Sequence, residues 1–302
     1  MTGGATGLDH VGVAVRDLDA AAAEWAALGF AVQPLALHMA DGTPTGTPTG
    51  THGQSVPTGT SGQSVPTGNH GQSVPTGTGN RNIMLRAGYI ELLATIDPAR
   101  PSATIARFLA HHQGIHVLTL AIDDECAALA RLGRAGFAAA IARSSRPADP
   151  KLPEGPQAAF VRIALAEADP RLQLLRHVTP ELVWQEGFLS HPNRACALRE
   201  VIVAADPPAP FAARLARAAG LPVVPDPAGG LVLKLPGGAV RVLPPDVAAR
   251  LLPGAAIPTL PVILGVAVQT DDGNAAIAAR LGHDGPGPVV GRASGVTVLF
   301  TP

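Results

Sequence analysis

The stretch Gly7-Leu-Asp-His-Val-Gly-Val-Ala-Val-Arg-Asp17 alternates between apolar and small or polar residues, as a half-buried strand does. It runs into Asp19-Ala-Ala-Ala-Ala-Glu-Trp-Ala-Ala-Leu-Gly29, which has the acidic start and the glycine stop of a helix. The same succession returns at Gly114-Ile-His-Val-Leu-Thr-Leu-Ala-Ile-Asp-Asp124, with a second helix predicted over 125–132. This duplication of a strand and a helix decides the fold.

Each copy also closes with a further strand. The closing strands are Tyr89-Ile-Glu-Leu-Leu93 in the first copy and Arg171-Leu-Gln-Leu-Leu175 in the second. Alignment of the two copies pairs His10 with His116, and Glu91 with Gln173. Side chains that could take part in binding or catalysis therefore occupy equivalent positions in the two copies.

The pattern appears twice more in weaker form. Leu198-Arg-Glu-Val-Ile-Val-Ala-Ala205 leads into a helix predicted over 211–219, and Val262-Ile-Leu-Gly-Val-Ala-Val268 leads into one over 274–281. Short connections rich in glycine and proline favour antiparallel hairpins within each unit. The sequence thus predicts an α+β fold of four repeated β-α-β-β-β units, the last of them shortened.

A short repeat interrupts the first unit. Gly53-Gln-Ser-Val-Pro-Thr-Gly59 is copied at 62–68 and again at 71–77. Glycine, proline and small polar residues bury too little apolar area to offset the entropy lost on ordering, so 41–79 is predicted to be a flexible loop. A nonapeptide β-helix is the alternative interpretation, but the repeat has no apolar stripe for such a core.

The composition limits the class of protein. The chain has 302 residues, of which 46% are hydrophobic, so it can bury a substantial core. A net charge of −1 argues against nucleic acid or an anionic membrane as a partner. No apolar run is long enough for a transmembrane helix, and residues 1–7 lack the features of a signal peptide. Two cysteines are too few for a disulfide framework, and we expect a cytoplasmic protein.

Four such units, with Leu-Asp-His opening the first and Ile-Glu-Leu-Leu closing it, resemble the vicinal oxygen chelate superfamily. More narrowly, the chain resembles the glyoxalase-like domain proteins of that superfamily. The resemblance implies that adjacent units pair into curved half-barrel sheets around a metal. Four units in one chain resemble the two-domain arrangement of extradiol dioxygenases. We therefore expect a paired-unit domain over 1–180, a linker over 181–197 and a second, degenerate paired-unit domain over 198–302.

Three residues are candidates for a metal site in the first domain. If the two units face each other, His10 and His116 meet at the shared cavity, and alternation places Glu91 on one face of its strand with Tyr89 and Leu93. Two imidazoles and a carboxylate suit a divalent metal such as zinc, iron(II), nickel or manganese. Two histidines hydrogen-bonded in the core and a surface glutamate are the alternative.

The fourth candidate ligand, Gln173, departs from the pattern that the resemblance implies. Enzymes of the superfamily often carry glutamate there, whereas an amide oxygen ligates weakly and cannot act as a base. Glu91 is therefore the one candidate catalytic carboxylate. The second domain is expected to hold no metal, because its corresponding positions are Glu200, Arg241 and Leu264. A salt bridge between Glu200 and Arg241 is predicted instead.

Four further residues are candidates for substrate binding. Asn82 precedes a strand where related proteins often contact substrate, and Arg146 lies in the corresponding loop of the second unit, where it could bind an anionic group. Trp184 and His191 belong to a segment with a His-Pro-Asn motif that glyoxalase-like proteins share, and they could line the mouth of the cavity. For His191 the alternative is an extended turn set by the proline that follows it.

The leading functional hypothesis is a metal-dependent enzyme acting on a small molecule that chelates the metal through neighbouring oxygens. Isomerisation, addition to an epoxide and ring-opening with dioxygen all remain open as its reaction. The second hypothesis is a non-enzymatic protein of the same fold that sequesters a small molecule, since Gln173 lacks the usual carboxylate. A structural module without a ligand is the third. A homodimer is a further possibility that the resemblance raises.

Overall fold

The computed structural model describes residues 3–40, 74–149, 151–152, 154–165 and 169–302. Within them the chain forms fifteen strands and six helices. The first half comprises β1 (Gly7–Ala14), α1 (Leu18–Ala27), β2 (Ala36–Ala40), β3 (Val74–Met84), β4 (Tyr89–Thr95), α2 (Ala103–Leu109), β5 (Gly114–Ala121), α3 (Glu125–Arg134), β6 (Ala139–Pro147), β7 (Gln157–Leu165) and β8 (Arg171–His177).

Two short 3-10 turns, Pro180–Leu182 and Glu186–Phe188, lead to the second half. This half comprises β9 (Ala195–Ala204), α4 (Pro208–Ala219), β10 (Val223–Pro225), β11 (Leu231–Leu235), β12 (Gly238–Leu243), α5 (Pro245–Leu251), β13 (Val262–Thr270), α6 (Ala275–Leu281), β14 (Val289–Ala293) and β15 (Val296–Thr301). None of the helices in the described part of the chain is long and apolar enough to cross a membrane.

Matching caps start the first helix of each unit in the first half. The carboxylate of Asp17 accepts hydrogen bonds from the backbone N–H groups of Asp19 and Ala20 at the start of α1. Asp124 does the same for the N–H of Ala127 at the start of α3. The aspartate that ends each opening strand thus fixes where the chain turns from sheet into helix.

The eight strands of the first half form a closed ring. The sheet order is β1-β4-β3-β2 in the first unit and β5-β8-β7-β6 in the second. Strands β1 and β5 pair antiparallel along their length, and β2 joins β6 through the pairs Met39 with Ser145 and Ala40 with Ser144. Because side chains alternate across each strand, one face of every strand points into the ring.

The second half repeats this order without closing. Its third unit has the order β9-β12-β11-β10, and its fourth unit has the order β13-β15-β14, which is one strand shorter. Strands β9 and β13 pair antiparallel, as β1 and β5 do. The predicted fold class of repeated units in curved sheets is therefore confirmed, including the shortened last unit.

Side chains of both halves share one hydrophobic core. A single cluster of buried residues contains Trp25 of α1, Val201 of β9 and Phe300 of β15. The guanidinium of Arg131 also crosses between the halves, donating to the carbonyls of Arg217 and Ala218, each at 2.7 Å. The two halves therefore pack as one body around shared apolar surface.

Two sequence-based boundaries differ from the structure. Most of the predicted loop, residues 41–73, lies outside the described residues, and so does the β-helix alternative for it. Val74–Gly79 belong to β3, so the loop prediction is wrong for these residues. This polar segment is held by backbone pairing to β2 and β4 instead of by apolar burial. At the other boundary, β9 begins at Ala195, inside the predicted linker.

Candidate functional site

A cavity of about 650 Å³ occupies the inside of the eight-stranded ring. All four candidate ligands line it, and they come from four adjacent strands: His10 on β1, Glu91 on β4, His116 on β5 and Gln173 on β8. The structure thus brings these four side chains to one cavity.

His10 is fixed by hydrogen bonds at both ring nitrogens. Its Nδ1 donates to Asp9 Oδ1 at 2.6 Å, and its Nε2 accepts from the hydroxyl of Thr119 at 3.0 Å. The ring also stacks on Tyr89, with 4.3 Å between centroids, and the residue is 2% exposed. Asp9 in turn accepts from His177 Nε2 at 2.9 Å. The imidazole is therefore held in one orientation, with its Nδ1 proton directed at Asp9.

Glu91 keeps its charge in spite of burial. Its Oε1 accepts from Asn80 Nδ2 at 2.6 Å and lies 3.3 Å from His38 Nε2, while its Oε2 lies 3.7 Å from His10 Nε2. Burial raises the pKa of Glu91, but the hydrogen bond and charge of His38, the charge of His10 and the Asn80 hydrogen bond outweigh it and hold that pKa well below its usual range. The cavity therefore contains a carboxylate at neutral pH.

His116 presents a neutral imidazole to the same cavity. Its Nδ1 donates to the carbonyl of Gly12 at 3.1 Å, which leaves the lone pair on Nε2. Burial lowers the pKa of His116 to about 4, although the Gly12 bond opposes this shift. A Cβ atom at Gly12 would lie 3.5 Å from His116 Cε1 and 3.7 Å from Glu91 Oε2. Those two distances are ordinary contacts, whereas the same Cβ would lie only 2.5 Å from Val117 Cγ1, so it is the packing of Val117 that requires glycine beside the two site residues.

Gln173 joins the site through Thr119. Its Nε2 donates to the Thr119 hydroxyl at 2.7 Å, and that hydroxyl donates onward to His10 Nε2. A carboxylate at position 173 could not make this donation, so the amide belongs to the network that orients His10.

The residues present fit a divalent metal by donor type. Metal-binding histidines commonly donate a hydrogen bond from their second ring nitrogen to a carboxylate or a carbonyl. His10 donates in this way to the carboxylate of Asp9, and His116 donates to the carbonyl of Gly12. Each then offers Nε2 beside the ionised Glu91. In the described parts of the chain, however, no three His, Cys, Asp or Glu side chains lie close enough together to hold an ion as they stand. Binding would require the side chains to move and His10 to give up its Thr119 bond.

The second half carries ion pairs where the first half carries the candidate ligands. Arg241 lies 3.6 Å from Glu200, so the predicted salt bridge is confirmed. A closer partner that the sequence did not indicate is Asp226, whose carboxylate accepts from Arg241 at 2.7 Å. Leu264 is buried in an apolar cluster. Residues 198–302 are all described, and they contain no metal-binding group of His, Cys, Asp or Glu.

The candidate substrate-binding residues divide into two pairs. Asn82 and Arg146 line the cavity, and both are buried. The structure places Trp184 and His191 elsewhere. Trp184 donates from Nε1 to the carbonyl of Leu85. His191 accepts from the N–H of residue 31 at 3.0 Å and donates to the carbonyl of residue 84 at 2.7 Å, so both its nitrogens serve to hold the first unit together.

Several residues of the site escaped the sequence analysis. His38 lies on a five-residue strand beside the low-complexity segment, where no periodicity marks it. Asn80 stands in the same segment as the candidate Asn82, but its role as a partner of Glu91 was not predicted; it belongs to a polar stripe at every second position of β3, Thr76, Thr78, Asn80 and Asn82. Thr119 owes its importance to His10, which is distant in sequence, and Asp9 joins its neighbour His10 to the distant His177; only the folded structure shows these contacts.

Comparison with known proteins agrees with this architecture. A family model described as a glyoxalase-like domain matches residues 8–219. No match was found among curated protein sequences. Similar solved structures include a Mn(II)-bound glyoxalase from Novosphingobium aromaticivorans (TM-score 0.52, 12% identity, covering 99% of this chain and 82% of that chain). A triple mutant of 4-hydroxymandelate synthase from Streptomyces coelicolor is also similar, with a TM-score of 0.52 and 18% identity over 92% of this chain and 75% of that chain. A hypothetical protein from Staphylococcus aureus has a TM-score of 0.54 and 13% identity over 75% of this chain and 85% of that chain. At these identities the structural likeness shows the fold alone.

Proposed function

Because the chain belongs to the glyoxalase-like domain family of the vicinal oxygen chelate fold, we propose that it is a metal-dependent enzyme acting on a small molecule. The substrate would chelate the metal through two neighbouring oxygens. His10, His116 and Glu91 are the proposed ligands, and Gln173 is a weak ligand or an orienting amide. Reaction by isomerisation, lysis or ring-opening with dioxygen is compatible with this site.

One observation carries the proposal. Both imidazoles have their Nδ1 protons held by oxygen acceptors, so that both present Nε2 to the cavity beside a carboxylate that is ionised at neutral pH. Three charged or polar groups pointing into one buried cavity are costly unless a cation or hydrogen bonds compensate them. A divalent cation bound between them would supply Lewis-acid polarisation of the substrate oxygens.

The protein's own groups would prepare the site for such a substrate. Asp9 holds the ring of His10 through Nδ1, and Asn80 and His38 hold the carboxylate of Glu91. A carboxylate with so low a pKa is a weak base, so we assign Glu91 to ligation and not to proton abstraction. Asn82 offers the substrate an acceptor, because its buried Oδ1 has no hydrogen-bond partner within the described residues.

A second candidate function is sequestration of a small molecule without chemistry. It is favoured by the engagement of the donors with one another: Glu91 accepts from Asn80, and His10 and Gln173 are both bonded to Thr119. A cavity whose polar groups are satisfied in this way could bind a ligand directly. Bound metal separates the two candidates.

The test is elemental analysis of the full chain purified without a metal-affinity tag and dialysed against zinc, iron(II), nickel or manganese. We expect about one metal ion per chain for the wild type, and a loss to background in His116→Ala because a structural ligand is missing. His111→Ala is the matched control, since His111 is exposed and lies outside the cavity. Equal metal content in the two variants, or none in the wild type, would contradict the proposal and favour sequestration.

We also propose a cytoplasmic location and a possible homodimer. The location is supported by the two cysteines, Cys126 and Cys196, which are both free thiols. Equilibrium sedimentation would test the oligomeric state, and fractionation of the native host would test the location.

A further inference from the structure

Arg146 is a buried cation that lines the cavity, and no acidic residue in the described part of the chain forms an ion pair with it. It lies near the end of β6 and is 6% exposed. Among the described residues its guanidinium makes no ion pair and no hydrogen bond. It lies over the ring of Phe160, with the guanidinium carbon 5.9 Å from the ring centroid. A ring face holds such a group in place but leaves its N–H donors free for another partner.

Leaving a charge buried and unpaired is unfavourable, which makes the position of Arg146 informative. Burial lowers the pKa of Arg146, while Tyr89 and Glu91 oppose this shift from across the cavity. The carboxylate that opposes this shift, Glu91, is itself engaged with Asn80 and His38. The site therefore has room for one additional negative charge next to Arg146.

The charge of the whole lining agrees with this. Among the described residues that line the cavity, one carboxylate, Glu91, stands against four arginines, which are Arg143, Arg146, Arg162 and Arg171. Arg143 and Arg162 are exposed, and Arg143 lies 3.8 Å from the carboxylate of Glu125, so neither offers an anion a buried contact. Arg146 is the buried member of the set.

We propose that Arg146 is the subsite for a carboxylate group of the small molecule that this cavity binds. A guanidinium offers two parallel N–H donors that match the two oxygens of a carboxylate. One buried cation balances one negative charge, whereas a phosphate would bring a second charge next to the ionised Glu91. Apolar side chains of the lining, including Ile141 and Leu175, would contact the rest of the ligand. This inference rests on the proposed function only in taking the same cavity as the binding site.

The test uses the full chain after EDTA treatment, so that no metal contributes to binding. Titration calorimetry compares phenylacetate with phenylacetamide, which has the same shape without the charge. We expect phenylacetate to bind about 10- to 100-fold more tightly, the range for a charge-assisted pair. Arg146→Gln should abolish this preference. Arg146→Lys should keep part of it, because lysine retains the charge but lacks the two parallel N–H donors of the guanidinium.

Arg143→Gln is the matched control, because it removes the same charge from an exposed position of the same strand. It should retain the preference for phenylacetate. Equal loss in the two variants would show a general electrostatic effect and overturn the assignment, as would undetectable binding of phenylacetate at millimolar concentration. Tighter binding of phenyl phosphate through Arg146 would overturn the choice of carboxylate. Circular dichroism verifies that each variant is folded.

Metal content separates this inference from the proposed function. Arg146→Gln should bind as much metal as the wild type, and His116→Ala should retain the preference for phenylacetate in the absence of metal. If metal binding fails while the carboxylate preference holds, the enzyme proposal falls and the subsite stands. If the preference for phenylacetate is absent while metal binds, the subsite proposal falls and the enzyme proposal stands.

Discussion

Arg241 occupies in the second half the position that Glu91 has in the first, and Asp226 holds it there through two hydrogen bonds of 2.7 and 2.8 Å. Replacing Asp226 with Asn would leave the half-buried guanidinium with Glu200, 3.6 Å away, as its nearest carboxylate. We expect Asp226→Asn to lower the free energy of unfolding by about 2 kcal/mol at neutral pH. Urea denaturation measures this, and Glu200→Gln should cost clearly less because its contact is longer.

The same pair predicts a pH dependence. The hydrogen bond from Arg241 holds the pKa of Asp226 below its ordinary value of 3.8. A depressed pKa contributes stability that is fully present above the ordinary value and is lost as the pH falls through the lowered one. The difference between wild type and Asp226→Asn should thus be largest at neutral pH and shrink below pH 3.8. A difference that stays constant into that acidic range would contradict this account.

At the residue scale, symmetry made part of the site predictable. His10, Glu91 and His116 could be placed on one cavity because alternation and repetition fix which face of a strand a residue occupies. The partners that hold them could not be placed in this way. Thr119 of the adjacent strand β5 is paired with His10, although β5 lies far from β1 in the sequence. His38 lies on a strand that is too short to show a period.

At the element scale, β2 and β3 meet at their ends, since Ala40 and Val74 are paired residues. The segment 41–73 therefore leaves and re-enters the sheet at adjacent points. We expect its replacement by Asn-Gly, a two-residue hairpin turn, to shift the melting temperature by less than about 3 °C. Scanning calorimetry measures this.

A longer deletion that also removes residues 74–77 provides the comparison. It would take away the pairing of β3 with Met39 and Ala40, so it should lower the melting temperature by more than about 5 °C. Equal melting temperatures for the two deletions would show that the start of β3 contributes nothing. The sequence could not locate this boundary, because the repeat Gly71–Gly77 has the same composition as the two copies before it.

At the scale of the whole molecule, the shared core predicts cooperative unfolding. Buried side chains of α1, β9 and β15 belong to one cluster, so neither half can lose its packing without exposing apolar surface of the other. We expect a single calorimetric transition whose van't Hoff and calorimetric enthalpies agree. A fragment ending at residue 194 should aggregate. Two separate transitions would instead support independently stable domains over 1–180 and 198–302.

The fold class followed from the sequence because the succession of a strand and a helix recurs four times, with matching aspartate caps in the first two units. The relation between the halves did not follow, because contacts such as Arg131 with the end of α4 join elements that no pattern links. The second half contributes no residue to the lining of the cavity, so it supports the site by packing and not as a lid.

Ring closure in the first half has a consequence for how copies of this protein could meet. A strand at the end of an open sheet can recruit a strand from another molecule, whereas a closed ring offers no such end. In the described chain, the open sheet ends are β10, which is three residues long and finishes in Pro225, and β14. Strand exchange between neighbours in a crowded cell would therefore take place through the second half. Such pairing would leave the strand order around the cavity unchanged.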